Sequence, residues 1–515
     1  MKRLMSLLLT AMILALLLPA AVFAEESAHL EITVANWDIA NGFPEDGSRD
    51  AVLTEVEKRF NVTFVPMNVG WGDYGEKYNS WAAAGTMPDI AGACSWIGSS
   101  TYYQWIEDGV VRALPNVENY PDVAKYMDLP EVLAYQVEGE HYFFPRMTYY
   151  DASYWCMDRG LYIRTDWLEN LGLEMPTTGD ELLKTMQAFA ENDPDGNGEK
   201  DTIGFAYNAV FPTSQQIACY GYTDGRWVKS GDRWVLPAFE ENTIPLIDML
   251  RTAFRNGWMD QDFAARATND CQELFASGRV GILAKQVSPK HVNDVNKLWA
   301  SLQPEKSFLD CVAIVPLVGE DATCFQEMAY WSETYIGGHV DDEKADRIMQ
   351  IMDFLYSDEG MMLTTYGFEG IDYQLTDDGE IELLLPMKEN GMRQTMGEKY
   401  PSCGWLAYLA GWNGDLLQYV SPTIPVEIRE MCKAEYERRV AEWKSPNLDW
   451  EIAALDLEAK RENTANSTTQ WSIIIADTSD TPTEELYRQA LAEWNAQGYA
   501  AACEAVTAAA AERGK

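Results

Sequence analysis

Strand-like and helix-like patterns alternate from residue 31 to residue 94, and this alternation limits the fold more than any other feature of the chain. Residues 31–37 (EITVANW) place apolar and polar side chains at period two, which predicts a strand. Ser48 then stands as the N-cap of a helix that carries Val52, Leu53, Val56 and Phe60 on one face. Residues 62–69 predict a second strand, residues 74–84 a helix and residues 88–94 a third strand. A βαβαβ order of this kind implies an α/β lobe with a mainly parallel sheet. Ligands lie beyond the carboxyl ends of strands in such sheets, which aims Trp37 and Trp96, just past the first and third strands, at a cleft.

A second α/β region starts near Leu161. Leu168, Leu171, Leu182, Leu183, Met186 and Phe189 recur at helical spacing, residues 202–207 read as a strand, and residues 243–256 read as an amphipathic helix ended by Gly257. Residues 280–283 and 311–315 predict strands, residues 343–355 a helix, and the Ala-rich tail from 483 to 513 is helical. The 515 residues exceed what one hydrophobic core serves, so two or more lobes are expected. There is no repeat of fixed period.

Compartment is set at the start of the chain. Lys2 and Arg3 precede an apolar run, and Ala21 to Ala24 supply the small-residue pattern of a cleavage site, so residues 1–24 read as a signal peptide, with a retained membrane anchor as the alternative. The first cysteine is Cys94, so no lipobox cysteine follows the apolar run, and the protein is expected to be periplasmic or extracellular without a lipid anchor. The formal charge is −42, which repels nucleic acid and anionic lipid. It also disfavours a polyanionic ligand unless a local basic patch or bound cation offsets the field. Nine cysteines without a C-x-x-C pair give no disulfide framework, and they read as buried small hydrophobes.

The segment LYIRTDWLENLGLEMPTTGDELLKTMQAFAENDPDGNGEKDTIGFA, from Leu161, resembles the extracellular solute-binding proteins of ABC importers, family 1. Within that family it is similar to the larger subgroup with the alginate-oligosaccharide binders and LipO-like lipoproteins. Further landmarks stand in the family's order: ANWD, AAAGTMPDI, EGEHYFFPR, GWMDQDF, ELFASGRVGI and LYSDEGMMLTTYGFEGIDY. The resemblance implies a two-lobed periplasmic-binding-protein-like α/β fold with discontinuous lobes and a central ligand cleft. Lobe 1 is expected to comprise residues 28–147 and 316–367, and lobe 2 residues 148–315 and 368–515. The function it implies is capture of an oligosaccharide, as a monomer, for delivery to the permease subunits of an ABC importer.

Two motifs carry chemistry. In Asp193-Pro194-Asp195-Gly196-Asn197-Gly198-Glu199-Lys200-Asp201, oxygen ligands fall at positions one, three, five and nine, a backbone carbonyl at seven (Glu199) and a glycine at six. That order matches the first part of an EF-hand calcium loop, although position twelve is Gly204 in place of the bidentate Glu. In the alginate binders that this segment resembles, the corresponding loop holds a structural Ca2+; the alternative is an acidic surface turn without metal. The second motif is a set of aromatics beside polar residues, because sugar rings offer C–H faces to aromatic rings and hydroxyls to amides and carboxylates. Trp37 with Asn36 and Asp38, Trp71, Trp96, Tyr149 with Tyr150, Trp331, and Trp405 with Trp412 are the candidates. With 18 Trp and 26 Tyr many aromatics must be core, and position after strands favours Trp37, Trp96 and Trp331. Arg146 either reaches the cleft or pairs with a carboxylate near the hinge.

Catalytic readings gain little support. The four His stand in no metal spacing, and no G-x-S-x-G or Walker-type run occurs. The rival to a binding protein is a secreted carbohydrate-active enzyme, glycoside hydrolase or lyase, with paired carboxylates; a non-sugar polar ligand is the other alternative.

Overall fold

A computed structural model of the chain describes residues 28–515 apart from 38, 45, 208–225, 267, 317–322, 324–327, 378, 389–392, 445–447 and 456–470. Residues 1–24 and Asp38 therefore lie outside the described residues. Among those described, no helix is long and apolar enough to cross a membrane, and seven cysteines stand free, six of them buried.

The chain builds two lobes around separate cores. In the first, a five-stranded sheet runs in the order Val62–Pro66, Leu30–Ala35, Ile90–Cys94, Tyr330–Ile336, Phe144–Met147. Its first three strands are parallel, as the βαβαβ pattern requires. Tyr330–Ile336 lies antiparallel to both neighbours, so the sheet is mixed and only partly parallel. The cause is topological, because this strand re-enters from the other lobe and does not follow a helical crossover. The helix Ala51–Phe60 is capped by Asp50, not Ser48: the Asp50 carboxylate accepts from the Leu53 amide at 2.9 Å and also holds the Ser402 amide and hydroxyl, each at 2.8 Å.

Those Ser402 contacts mark a larger departure from the expected lobe division. The helix Ser402–Ala410 buries Cys403, Trp405, Leu406 and Leu409 in the first core together with Ile32, Val34, Phe64 and Ile90. Backbone carbonyls of that helix are held by first-lobe side chains: Trp405 by the Asn36 amide at 2.7 Å, and Leu409 by the Thr334 hydroxyl at 2.8 Å. An apolar nine-residue helix cannot stand in solvent, so it docks on the sheet and carries Tyr373, Tyr400 and Leu416 into the first lobe with it. The sequence expectation gave residues 368–515 to lobe 2, whereas Tyr373, Tyr400 and the described core residues from Cys403 to Leu417 pack in the first core.

In the second lobe four strands run in the order Val312–Ile314, Leu161–Arg164, Val280–Ala284, Ile203–Ala206. Helices Gly179–Glu191, Ile244–Arg255 and Thr483–Ala496 cover this sheet with Phe189, Leu250, Tyr487 and Trp494. Helix Gly179–Glu191 opens with a full capping box between Thr178 and Glu181. The C-terminal tail is two helices, Thr483–Ala496 and Tyr499–Glu512, broken where Gly498 takes a φ of 114°.

Candidate functional site

A cavity of about 790 Å³ lies where the lobes face each other. The first lobe supplies an aromatic wall of Trp71, Trp331 and Trp412, together with Thr148, Ser332 and Glu333. Asp158, Arg159, Arg226, Gln286, Lys290 and His291 come from the second lobe, and Ala453, Ala454 and Leu455 close one side. Cavities of this size at a domain interface, mainly apolar with a few convergent polar groups, are the usual form of small-molecule sites.

Local backbone irregularity arranges the aromatic wall. Ser332 has a φ of 68°, and the pairing of its strand with Phe144–Met147 shifts register between Tyr330 and Glu333. This bulge lets three consecutive residues, Trp331, Ser332 and Glu333, face the cavity, where a regular strand would turn one away. Trp37 lies behind them, with ring centroids 4.7 Å from Trp71, 5.7 Å from Trp331 and 6.1 Å from Trp412. The Arg146 guanidinium sits 5.0 Å from the ring centroids of both Trp37 and Trp412. It donates to the Ser332 hydroxyl at 2.5 Å and to the Tyr408 carbonyl. Burial pushes its pKa down to about 10, so the group remains a cation at neutral pH.

Glu333 is fully buried, and one carboxylate oxygen accepts from the amides of Trp96 at 2.5 Å and Ile97 at 3.0 Å and from the Tyr335 hydroxyl at 2.8 Å. Burial nevertheless pushes its carboxyl above the usual range. Its other oxygen has no hydrogen-bond partner, and neither do Thr148 Oγ1 and Trp412 Nε1 on the same wall, or Trp37 Nε1 and Arg146 Nη2 behind it. Buried polar atoms are normally satisfied, at a cost of about 1–3 kcal/mol when they are not. Thr148 Oγ1, Trp412 Nε1 and the second Glu333 oxygen thus lie at the wall with hydrogen-bonding capacity that no protein group uses.

The sequence candidates divide by placement. Trp71, Arg146, Trp331 and Trp412 are brought together, with Trp71 61 % exposed and Trp331 36 % exposed. Trp37 and Asn36 are buried supports: Asn36 spends its side chain on the Trp405 carbonyl and the Trp37 amide. Trp96 is packed in the first core against Tyr74, Tyr78 and Trp105, and Trp405 is core against Phe43 and Phe64. Neither is on the cavity wall: both rings are buried in the first core, Trp405 on the helix Ser402–Ala410 that docks on the sheet. Tyr149 lines the cavity with its hydroxyl donating to Asp158 at 3.1 Å, whereas Tyr150 is half exposed away from it. Thr148, Glu333 and the whole second-lobe wall were missed. Only Glu333 left a sequence signal, as the one acid in the strand YWSETYI.

The acidic loop is compact. The Asp193 carboxylate accepts from the amides of Asn197 at 3.1 Å and Gly198 at 3.0 Å, and the Asn197 amide group donates to Asp195 at 3.0 Å and Asp201 at 3.2 Å. Gly198 has a φ of 83°. Burial, with Asp193 as a neighbour, raises the Asp195 carboxyl. At position twelve, a Cβ on Gly204 would meet the Met186 carbonyl, so no glutamate fits there. Among the described residues no three His, Cys, Asp or Glu side chains converge as a ready-made metal cage.

The family model described as bacterial extracellular solute-binding protein matches residues 44–362. The polygalacturonan/rhamnogalacturonan-binding protein YtcQ of Bacillus subtilis is 26% identical over 349 residues, 64% of this chain and 65% of that one. The fructooligosaccharide ABC transporter substrate-binding protein FusA of Streptococcus pneumoniae is 32% identical over 178 residues, 32% of each chain. These matches span less than two thirds of the relatives' length. In structure, the Streptococcus pneumoniae FusA complex with kestose superposes with a TM-score of 0.66 at 19% identity, over 94% of this chain and 100% of that one. That likeness establishes a shared two-lobed fold.

Proposed function

The chain belongs to the bacterial extracellular solute-binding protein family, and from that premise we propose that it is the exported, non-catalytic, monomeric binding component of an ABC importer, which takes up an oligosaccharide between its lobes and delivers it to the permease. The observation that carries this reading is the tryptophan wall of Trp71, Trp331 and Trp412, backed by buried polar atoms without protein partners. Flat apolar rings receive the C–H faces of sugar rings, and the unpaired donors and acceptors receive their hydroxyls. The names of YtcQ and FusA, both oligosaccharide or polysaccharide binders, support the same class of ligand.

Calcium joins this reading as a structural ion. The loop offers only hard oxygen donors, and the amides of Asn197 and Gly198 already turn the Asp193 carboxylate inward, as a calcium loop requires. Asp193, Asp195, Asn197, Asp201 and the Glu199 carbonyl would hold the ion, with Gly204 leaving one side to water. Its contribution would be to clamp the turn between the helix Gly179–Glu191 and the strand Ile203–Ala206.

Intrinsic tryptophan fluorescence titrated with a panel of glycans tests the function. Saturable binding with no product is expected; release of reducing ends or unsaturated products would instead identify a carbohydrate-active enzyme.

A further inference from the structure

A second cavity of about 410 Å³ lies beside the first, and Lys290 is in the wall of both. Its volume falls in the roughly 300–1,000 Å³ range of small-molecule sites. Its walls again come from both lobes. Asn293 and Lys297 stand with Lys290 on the second-lobe helix Pro289–Leu302, while Thr365, Leu383 and Gly414 belong to the first lobe. Thr365 Oγ1 is buried there without a hydrogen-bond partner, so this cavity too has polar capacity to spare.

An ion pair separates the two spaces. Gly414 and Asp415 are consecutive on the helix Asn413–Leu416, yet Gly414 lines the second cavity and Asp415 the first. The Asp415 carboxylate meets the Lys290 ammonium at 3.3 and 3.4 Å. The partition is also anchored through the backbone. The Lys290 amide donates to Gln418 Oε1 at 3.1 Å, and the Asn293 side chain donates to the Thr423 carbonyl at 3.3 Å. These bonds tie the helix to the chain that crosses between the lobes, from Leu417 in the first core to Ile424 in the second lobe.

The aromatic wall leads to this partition. Trp331 stands 5.7 Å from Trp71 and 5.6 Å from Trp412, and Trp412 directly precedes the helix that carries Asp415. A chain of sugar rings lying along the indoles therefore arrives with one terminus at Lys290 and Asp415. To go further it would have to displace Lys290. Asp415 is 8 % exposed, and among the described residues Lys290 is the hydrogen-bond partner of its carboxylate. Displacement would leave that charge buried and unpaired, which is strongly unfavourable. Terminal hydroxyls, by contrast, can share the ammonium and the carboxylate where they stand.

We propose that the Lys290–Asp415 pair is the end wall of the binding cavity, which receives one terminus of the oligosaccharide and so limits the number of sugar units recognised. This rests on the oligosaccharide reading and adds chain-length specificity to it. The second cavity is space that the pair withholds from the ligand.

The test uses the full chain and intrinsic fluorescence. Fructo-, xylo-, malto-, manno- and galacturono-oligosaccharides are each titrated as a ladder from disaccharide to octasaccharide. In the series that binds, affinity should rise with length and then level or fall. Lys290→Ala combined with Asp415→Ala removes both charges together and opens the second cavity. Affinity should then go on rising for at least one more sugar unit, by about tenfold, the worth of one or two net hydrogen bonds. A Cβ on Gly414 meets nothing within 4 Å, so Gly414→Phe added to that double variant fills the opened space and should return the limit to its original length. Lys290→Ser with Asp415→Asn, which keeps the shape of one side, serves where the double alanine variant fails to fold. The same limit in the parent and the opened variant, or a gain that survives Gly414→Phe, would overturn the end wall and leave the oligosaccharide reading standing. No saturable binding of any series would overturn both.

Discussion

The Arg146 guanidinium lies 5.0 Å from the Trp412 ring centroid and 5.0 Å from that of Trp37, the two rings being neighbours 6.1 Å apart. A cation is thus held in the interior of the first lobe against two adjacent indoles, an arrangement worth up to about 2 kcal/mol when desolvated. The same guanidinium fixes the Ser332 hydroxyl, and Ser332 is the bulged residue that turns Trp331 and Glu333 to the cavity. Arg146 therefore shapes the binding wall without standing on it.

Arg146→Met should remove the hydrogen bonds to Ser332 and Tyr408 along with the cation. A loss of about 2–4 kcal/mol in urea melts is expected, with Arg146→Lys recovering only part because the ammonium lacks the planar fork. A change below about 0.5 kcal/mol for both variants would show that the wall does not depend on this residue.

Trp71→Ala and Trp331→Ala should each weaken glycan affinity by about 1–3 kcal/mol while the protein stays folded, since both rings are substantially exposed in the cavity. Trp96→Ala and Trp405→Ala should do the reverse, costing about 3–5 kcal/mol of stability with affinity kept in the folded fraction. Thermal melts and titrations on the four variants separate the two groups.

What the sequence revealed follows from what is local. The βαβαβ order, the helix Asp342–Tyr356 and the C-terminal helices are written in periodicity, and the structure has them within a few residues of expectation. The position of Ser402–Ala410 was not, because an all-apolar helix carries no information about which core it will join. Trp37, Trp71, Trp331 and Trp412 were legible as a set of candidates, yet their separation from Trp96 and Trp405 depends on where neighbouring chain turns a ring. The second-lobe wall was illegible for a different reason: Arg159, Arg226 and Lys290 lie far apart in the chain and come to one cavity only through tertiary packing.

Glu333 gives the stability a definite pH signature. Burial raises its folded-state pKa above the unfolded value of about 4.3, so its contribution is fully present below that pH and is lost as pH rises through the folded value. Glu333→Gln keeps an acceptor for the Trp96 and Ile97 amides and cannot ionise. Relative to the parent it should therefore gain stability between pH 4 and pH 8, read by urea melts at both ends. A relative loss on going to pH 8 would contradict the sign.

Calcium should raise the melting temperature, because an ion that binds only the folded state stabilises it by mass action, about 2.7 kcal/mol at a hundredfold excess over Kd. Chelation should lower it, and Asp195→Ala should erase the difference. Identical melting curves in chelator and in excess calcium would make residues 193–201 a plain acidic turn.

The final prediction concerns lobe motion. Trp331 and Lys290 belong to different lobes, so one ligand touches both only when the lobes stand close, and binding must favour that arrangement over any more open one. The Lys290–Asp415 pair and the bond from Trp155 Nε1 to the Met328 carbonyl are among the contacts that tie second-lobe residues to the first across this gap. Both are polar and border the cavity, which suits an interface that opens and recloses better than a dry apolar one would. Saturation with the best glycan should therefore reduce the radius of gyration in small-angle scattering. Trp331→Ala, which removes part of the ligand's grip on one wall, should require more ligand for the same reduction. An unchanged radius in a sample shown by fluorescence to be saturated would rule out closure as the response to binding.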